Sequence, residues 1–270
     1  MIKNKKNKIV AFAREAGGAS AIAPVCNAII KEGWVLLLLG KDYGLDIFKK
    51  NGLPCIDFPS FNMETLRALI LNSFGEMPDL IFTSATSLPH LDMTEKYLWK
   101  WGKENGIKTI GVLDQWQNYA LRFSGPTPND RLAYIPDYIF VMDELAKREM
   151  ISEGIPEDKI IITGQPAFEE AMKMYNLLLK DVSGIKERFK IKNFFIITFV
   201  SEALKKDFGN TLGYEEITTL GFLGDVLDKL CNKHKGINIH LIVKLHPENK
   251  KEEFGWIFSR WSSFSKSIIK

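Results

Sequence analysis

Short apolar runs alternate with longer amphipathic segments along the chain, and this alternation restricts the fold more than any other feature of the sequence. Strands buried on both faces of a parallel sheet read as continuous apolar runs, whereas helices repeat apolar residues every three or four positions. The runs predict strands at Lys8–Ala13, Trp34–Leu39, Pro54–Phe58, Asp79–Thr83, Ile107–Leu113, Tyr138–Met142 and Lys159–Thr163. The segments between them predict a helix from the Gly17-Gly18 turn to Gly33 and further helices at Tyr43–Asn51, Met63–Phe74, His90–Asn105 and Glu144–Glu153. Elements in this order are typical of an α/β doubly wound parallel sheet.

The same alternation begins again after Thr163. It predicts a mostly helical stretch at Phe168–Lys190, a fully buried strand at Phe194–Val200, a helix at Tyr214–Lys235 and strands at Ile239–Val243 and Ser267–Ile269. We therefore predict two domains, residues 1–165 and 166–270. A complete second sheet of this class usually needs ~150 residues and only about 100 remain, so we expect the second domain to be incomplete.

Composition narrows the class of protein further. The 36 lysines and arginines and the 33 aspartates and glutamates leave a formal net charge of +3, and 46% of the residues are hydrophobic. This is the mixture of a folded globular chain, and so small a net charge offers no general attraction for nucleic acid. The apolar runs are far shorter than the ~20 residues that span a bilayer. We therefore expect a cytoplasmic protein without a transmembrane segment, and association with the inner face of the membrane stays open.

Cysteine and histidine spacing points away from disulfides and metals. Cys26, Cys55 and Cys231 form no CxxC pair and have apolar neighbours, which predicts buried free thiols. No pair of histidines or cysteines has the spacing typical of a metal site, so the sequence predicts neither a metal nor a cofactor.

Two segments of the first domain place polar or flexible residues at the ends of predicted strands. At Gly17-Gly18 the backbone can approach a ligand closely, and the following helix offers free N–H groups to an anion or a sugar hydroxyl. The connection Leu113–Pro136 follows another strand and is longer than a simple connector, which is typical of a binding loop. Its candidate residues are Asp114, Trp116, Asn118, Tyr119, Arg122, Asn129, Asp130 and Arg131. Two alternatives stay open: the glycines serve only a tight turn, and the loop's charged residues only pair with one another.

The strongest local signal lies in the second domain, at Lys244-Leu245-His246-Pro247. A lysine and a histidine directly after a parallel strand lie at the ligand-binding edge of a sheet, where they can neutralise phosphates. Ser201-Glu202 follows another predicted strand and would face the same edge. The alternatives are a purely structural His246 and a solvated charged loop at Ser201-Glu202. The sequence contains no P-loop, GxSxG or dinucleotide fingerprint, which argues against an NTPase, a hydrolase or a Rossmann dehydrogenase.

An ordered set of short motifs resembles the GT-B superfamily. The set comprises GGASAIAPV after the first strand, PDLIFTSATS at the fourth, LDQWQN and PNDR in the long connection, EGIPEDKIIITGQPAFEEA at the domain junction and IVKLHPEN in the second domain. This superfamily includes nucleotide-sugar-dependent glycosyltransferases and the non-hydrolysing UDP-N-acetylglucosamine 2-epimerases. The resemblance covers nearly the whole chain. It implies two Rossmann-like domains across a cleft, with the acceptor bound by the first and the nucleotide sugar mainly by the second.

The resemblance also implies roles for particular residues, and at some positions this chain differs from the superfamily's motifs. The KLHP turn resembles the His-Pro turn that contacts donor phosphates, which assigns His246 and Lys244 to the phosphates. The acid in the central strand-end turn of the epimerases matches Asp114, but their strand-four aspartate is here Ala85. Their acidic pair before an arginine is reduced to Asn129-Asp130-Arg131, which argues against epimerase chemistry. Related lipid-linked sugar transferases carry a histidine shortly before the proline of the glycine-rich turn, a position that holds Ala21 or Ile22 here.

The sequence thus predicts a glycosyltransferase that moves a sugar from a nucleotide-sugar donor to a cell-surface glycan or lipid-linked acceptor, without a metal. Asp114 or Glu15 would deprotonate the acceptor hydroxyl. The predicted donor phosphate ligands are Lys244, His246 and Ser201, and the predicted acceptor or loop contacts are Gly17, Gly18, Arg122, Asp130 and Arg131. The alternatives are an epimerase-like sugar-nucleotide enzyme and a non-catalytic fragment. The sugar, the base and the oligomeric state, a homo-oligomer included, stay open.

Overall fold

The computed structural model describes residues 7–188 and 195–269. The chain divides into two compact units, Met1–Asn176 and Leu177–Lys270. This division falls inside a helix, Pro166–Leu179, whereas the sequence places the domain boundary just ahead of that helix.

The first unit is built on a seven-stranded sheet. Its strands are β1 (Lys8–Ala13), β2 (Val35–Gly40), β3 (Ile56–Asp57), β4 (Leu80–Ser84), β5 (Lys108–Val112), β6 (Tyr138–Val141) and β7 (Ile160–Ile162). They lie in the order β3-β2-β1-β4-β5-β6-β7, and every neighbouring pair is parallel. The strand order therefore reverses between β1 and β4, which is where ligands bind in open α/β sheets. The predicted doubly wound parallel sheet is confirmed.

Helices cover both faces of this sheet. They are α1 (Ala16–Lys31), α2 (Tyr43–Lys50), α3 (Met63–Phe74), α4 (Thr94–Glu104), α5 (Tyr119–Arg122) and α6 (Glu144–Ser152). Alternate residues of a strand point to opposite faces. Accordingly, Val10 and Phe12 of β1 join one buried cluster with Trp99, whereas Ile9 joins a second cluster with Ile22. Such two-sided burial explains why the strands read as continuous apolar runs.

Local capping chemistry sets the helix ends. α3 has its predicted bounds because Asn62 Oδ1 accepts a hydrogen bond from the Thr65 amide at 2.8 Å and Gly75 takes the left-handed conformation beyond the last turn. α4 begins later than predicted. The amide of Asp92 bonds back to the Leu88 carbonyl, and its side chain accepts from the Thr94 amide at 2.8 Å, so the segment ahead of Thr94 is a turn.

The second unit holds a three-stranded parallel sheet. The strands β8 (Phe195–Val200), β9 (Ile239–Lys244) and β10 (Ser265–Ile269) lie in the order β10-β9-β8. The helices of this part of the chain are α7 (Pro166–Leu179), which crosses the boundary between the units, α8 (Val182–Arg188), α9 (Leu204–Phe208), α10 (Glu216–Lys233) and α11 (Lys251–Gly255). Side chains of α10, β9 and α11, among them Leu220, Leu241 and Phe254, form the buried core.

One prediction about burial is wrong. The strand predicted at Phe194–Val200 is not fully buried, since Phe195 is 70% and Val200 65% exposed. In the described sheet β8 is an edge strand, and only Ile197 and Phe199 pack against the core of the unit. Phe194, like the predicted helix end at Lys190, lies outside the described residues.

The cysteine prediction is correct in part. Cys26 and Cys231 are buried free thiols, but Cys55 is only half-buried because it precedes the short edge strand β3. Among the described residues, no helix combines the length and the apolar composition that crossing a membrane requires.

Candidate functional site

The carboxyl ends of β1, β4 and β5 lie side by side at one edge of the first sheet. Glu15 comes shortly after β1, Ala85 directly after β4 and Asp114 shortly after β5. Since the three strands are parallel neighbours, the residues that follow them lie close together, at the reversal of strand order.

Asp114 and Arg122 form a buried ion pair at this edge. Arg122 Nη1 lies 2.8 Å from Asp114 Oδ1, and the Arg122 and Asp114 side chains are 2% and 8% exposed. The same guanidinium donates to the backbone oxygen of Ala85 at 2.5 Å and, through Nε, to that of Gln117 at 3.2 Å. Arg122 therefore joins α5 to the ends of β4 and β5.

The two glycines allow α1 to approach these strand ends closely. A Cβ atom on Gly17 would lie 2.3 Å from Asp114 Oδ2, and one on Gly18 would lie 2.5 Å from the Cβ of Ser84. Either contact is too short for a side chain. Gly17 therefore admits the Asp114 carboxylate, and Gly18 admits Ser84, against the start of the helix.

Glu15 is the N-cap residue of α1, but its side chain makes no capping hydrogen bond. Its carboxylate is 29% exposed and lies 4.0 Å from Nη1 of Arg14, whose Nε donates to Asp42 at 2.8 Å. A carboxylate that is still accessible at the ligand-binding edge can accept a proton from an alcohol.

A buried charged pair on α4, Glu95 and Lys96, supports the end of β4. Ser84 Oγ donates to Glu95 Oε1, the amide of Thr86 donates to Glu95 Oε2 at 2.5 Å, and Lys96 Nζ donates to the carbonyl of Thr86 at 3.1 Å. Burial raises the pKa of Glu95 to about 7 and lowers the pKa of Lys96. The negative charge of Glu15 also acts on both groups, so the pair lies close to the candidate base.

Sequence reasoning missed Glu95 and Lys96, although a partial signal exists. Glu95 precedes Leu98, Trp99 and Gly102 by three, four and seven positions, which is the spacing of one helix face, and all three are buried. A charged residue in register with an apolar face indicates a buried polar contact.

Asp130 and Arg131 do not take part in this cluster in the described contacts. Asp130 Oδ2 accepts from Thr127 Oγ1 at 2.6 Å, and Arg131 Nη2 donates to the backbone oxygen of Glu153 at 2.5 Å. Nor do these two residues and Arg122 pair with one another, as one alternative expected, because Arg122 pairs with Asp114.

In the second unit, Asn249 connects the residues that follow β8 and β9. Ser201 Oγ donates to Asn249 Oδ1 at 2.8 Å, and the amide of His246 donates to the same oxygen at 3.1 Å. Asn249 Nδ2 donates to Glu216 Oε1 at 3.0 Å, which anchors the group to the start of α10. Ser201, Asn249 and Glu216 are buried. The structure thus brings Ser201 and the His246 backbone together through Asn249, to which the sequence analysis assigned no role.

His246 and Lys244 lie at the carboxyl end of β9. The amide of Glu248 donates to His246 Nδ1 at 3.3 Å, so a neutral imidazole carries its proton on Nε2 and can donate it to a ligand. Lys244 Nζ donates to the carbonyl of Leu245 at 2.9 Å, which holds the ammonium next to the turn. A cation and a donor imidazole suit an oxyanion such as a phosphate.

In the part of the chain that the structure describes, no three histidine, cysteine, aspartate or glutamate side chains are placed to hold a metal ion.

A cavity of about 620 Å³ opens beside Asp114, and all its lining residues belong to the first unit. Gln165, at its base, donates through Nε2 to the backbone oxygen of Asp114 at 3.4 Å. Trp116 and Phe168 line this cavity, and their rings are stacked, with the ring centroids 5.9 Å apart and an interplanar angle of 19°.

No protein-family model and no curated protein matches this chain. Solved structures do match it. A UDP-GlcNAc 2-epimerase from Neisseria meningitidis, bound to UDP-GlcNAc, superposes with a TM-score of 0.63 at 17% identity over 97% of this chain and 72% of that chain. A glycosyltransferase from Rickettsia africae gives a TM-score of 0.61 at 14% identity over 98% and 69% of the two chains. The Anabaena protein Alr3699/HepE, in complex with UDP-glucose, gives 0.57 at 11% identity over 97% and 69%. These similarities confirm the predicted GT-B-like fold.

Proposed function

We propose that this chain is a nucleotide-sugar enzyme of the GT-B type that transfers a sugar from a UDP-sugar to a glycan or lipid-linked acceptor. The observation that carries the proposal is the placement of chemically suited residues after the strands of both sheets, in a fold whose solved neighbours hold UDP-GlcNAc or UDP-glucose. Ligands in open α/β sheets bind at that edge.

The donor phosphates are assigned to the second unit. Lys244 supplies a positive charge, and the Nε2–H of His246 supplies a directed hydrogen bond. Asn249 holds the turn against Ser201, so these groups are positioned before the donor binds. Groups held in place in this way stabilise developing negative charge without reorganising.

The acceptor base is assigned to Glu15. Asp114 is already engaged by Arg122, whereas the Glu15 carboxylate is partly exposed. In the proposed step Glu15 takes the proton of the acceptor hydroxyl while the acceptor's oxygen forms a bond to the anomeric carbon of the sugar. The bond from that carbon to the diphosphate breaks, and its electron pair stays on the diphosphate oxygen, where Lys244 and His246 stabilise the charge.

Epimerisation of a UDP-sugar is the second candidate function, because the neighbours include UDP-GlcNAc 2-epimerases. Two features of this chain favour transfer. The strand-four position that is acidic in the epimerases is Ala85, whose carbonyl accepts from Arg122. Asp130 is the one acid that remains of the epimerases' acidic pair before Arg131, and its side chain accepts a hydrogen bond from Thr127 and makes no described contact with Asp114.

One assay separates the two candidates. The protein is incubated with UDP-GlcNAc or UDP-glucose, with and without neutral oligosaccharide acceptors, and products are followed by proton NMR. Transfer predicts UDP release that depends on the acceptor. Formation of the C2 epimer of UDP-GlcNAc without acceptor would establish the second candidate, and a folded chain that turns over neither substrate would contradict both.

The base assignment is tested in the same assay with Glu15→Gln. We expect transfer to fall by about 10²–10⁴-fold, the usual contribution of a general base, while UDP-sugar affinity stays the same. Glu32→Gln, at the exposed end of α1, is the matched control and should leave the rate unchanged. Equal rates for Glu15→Gln and the control would refute the assignment.

A further inference from the structure

The cavity beside Asp114 is lined by none of the residues assigned to the donor or to the base, and a hydrogen bond connects it to the backbone of Asp114. Its walls come from α1, through Pro24 and Val25, from the end of β6 and from the start of α7. Gln165 connects the cavity to the backbone of Asp114. A ligand bound here therefore lies next to the edge of the first sheet that holds Asp114, and the cavity volume falls within the range of small-molecule pockets.

Two aromatic rings give the cavity an exposed stacking surface. Trp116 is 38% and Phe168 51% exposed, and their rings pack on each other. Trp116 Nε1 donates to Asp143 Oδ2 at 2.9 Å, which fixes the orientation of the indole. The face of an aromatic ring is electron-rich, so it attracts the polarised C–H bonds on the apolar face of a pyranose. Because the ring is already oriented, binding costs little side-chain entropy.

The charged groups that line the cavity are two carboxylates. Asp143 and Glu169 line it, together with Thr163 and Gln165, and none of its described lining residues is a lysine or arginine. Asp143 Oδ1 accepts from the amide of Ala146 at 2.9 Å, yet each of its oxygens keeps a second lone pair for a ligand. Carboxylates accept hydrogen bonds from sugar hydroxyls and repel phosphates and acidic sugars.

We propose that this cavity is a binding site for a neutral carbohydrate, whose pyranose ring stacks on the Trp116–Phe168 pair while its hydroxyls donate to Asp143 and Glu169. The inference rests on the proposed function, for which it supplies the acceptor class: a neutral glycan in place of a phosphorylated or acidic one. The same charge pattern excludes the nucleotide diphosphate from this cavity.

The test uses the whole chain without nucleotide. N,N′-diacetylchitobiose and maltose serve as neutral probes and N-acetylneuraminic acid as the acidic one, with binding measured by saturation-transfer NMR titration. We expect saturable binding of a neutral probe and none of the acidic probe. Trp116→Ala should weaken that binding by about tenfold or more, a loss of about 1.4 kcal/mol. Trp256→Ala, which removes an exposed tryptophan of the second unit, should leave the affinity unchanged.

Phe168→Leu is a second variant that serves if Trp116→Ala does not fold. It keeps an apolar side chain but removes the ring, so it should also weaken binding of the neutral probe. A folded wild-type chain that binds no neutral probe, equal affinity in the aromatic variants, or equally tight binding of the acidic probe would each overturn the proposal. Failure of the proposed function gives a different result. Neutral sugars would still bind, with loss in Trp116→Ala, while no UDP-sugar would bind or react.

Discussion

Arg122 contacts the chain at three places, one of them 37 residues away in the sequence. Its guanidinium reaches Ala85 after β4, Asp114 after β5 and the Gln117 carbonyl ahead of α5. Because the guanidinium has five donors in a rigid fork, one side chain can hold all three segments in register. The shape of the first unit's ligand-binding edge therefore depends on a residue that we assign no chemical step.

Replacing Arg122 with methionine tests this dependence. The change leaves the buried Asp114 carboxylate unpaired, so we expect the free energy of unfolding to fall by about 3–5 kcal/mol in urea denaturation. Arg131→Met, at an exposed arginine of the same connection, should cost less than about 0.5 kcal/mol. The double variant Asp114→Asn/Arg122→Met should recover part of the loss. Equal losses in the two arginine variants would contradict the role of the ion pair.

The raised pKa of Glu95 predicts a dependence of stability on pH. Between its usual value of 4.5 and about 7, the folded state keeps a proton that the unfolded state has lost, so stability falls as pH rises. At about 1.4 kcal/mol per unit of pKa, the loss is on the order of 3 kcal/mol. Lys96 and Glu15 act on this pKa in opposite directions, but burial is its largest cause.

Urea denaturation across this pH range checks the prediction. Glu95→Gln keeps an acceptor for the Thr86 amide but does not titrate, so its stability should fall less between about pH 4.5 and 7 than that of the wild type. Glu104→Gln, at the exposed end of the same helix, should keep the wild-type slope. A wild-type slope in Glu95→Gln would show that other groups set the pH dependence.

At the scale of elements, α10 lies against Trp261 only because residue 224 is glycine. A Cβ atom there would lie 2.0 Å from Cζ2 of the indole, which is buried and donates through Nε1 to Asp225 Oδ1 at 2.8 Å. The helix and the indole are thus fixed against each other by contact and by a hydrogen bond.

Gly224→Ala should therefore weaken the second unit selectively. Overpacking of this kind costs about 1–3 kcal/mol, although alanine is the better helix former. Gly255→Ala is the matched control, since nothing lies within 4 Å of its Cβ position, and it should be neutral or slightly stabilising. Amide hydrogen exchange should show lower protection in β9 of Gly224→Ala and unchanged protection in β5. Unchanged protection in both strands would mean that the indole moves aside freely.

The sequence predicts elements well where local chemistry defines them. The bounds of α3 follow from Asn62 and Gly75, and every predicted strand of the first unit is present because apolar runs mark two-sided burial. The same signal misleads at β8, since an apolar run reveals a strand but not how many of its faces are covered. The late start of α4 depends on a side-chain turn at Asp92 that periodicity does not detect.

The residues of the candidate site could be predicted because they follow strands, but the hydrogen bonds that hold them could not. Glu15, Asp114, Ser201 and His246 follow strands, so topology brings them to sheet edges. The contacts between them could not be predicted. Asn249 is only three residues from His246 but bonds to Ser201 across 48 positions of sequence, and this link exists only once the chain is folded.

The fold of the molecule does not by itself define its reaction. The solved neighbours share the fold at 11–17% identity, and one fold can host several reactions. The proposal of transfer therefore rests on this chain's own residues, Ala85 in contact with Arg122 in the first unit and the Lys244–His246 turn in the second.

Calorimetric titration with UDP-GlcNAc and UDP-glucose tests donor binding most directly. The wild-type chain and His234→Ala, which changes an exposed histidine beyond α10, should bind one of these donors saturably. His246→Ala should bind it about tenfold more weakly or worse, with an unchanged melting temperature, because it loses a directed hydrogen bond to the phosphates. A well-folded wild-type chain that binds neither UDP-sugar, or a His246→Ala variant with full affinity, would contradict the assignment of the donor site.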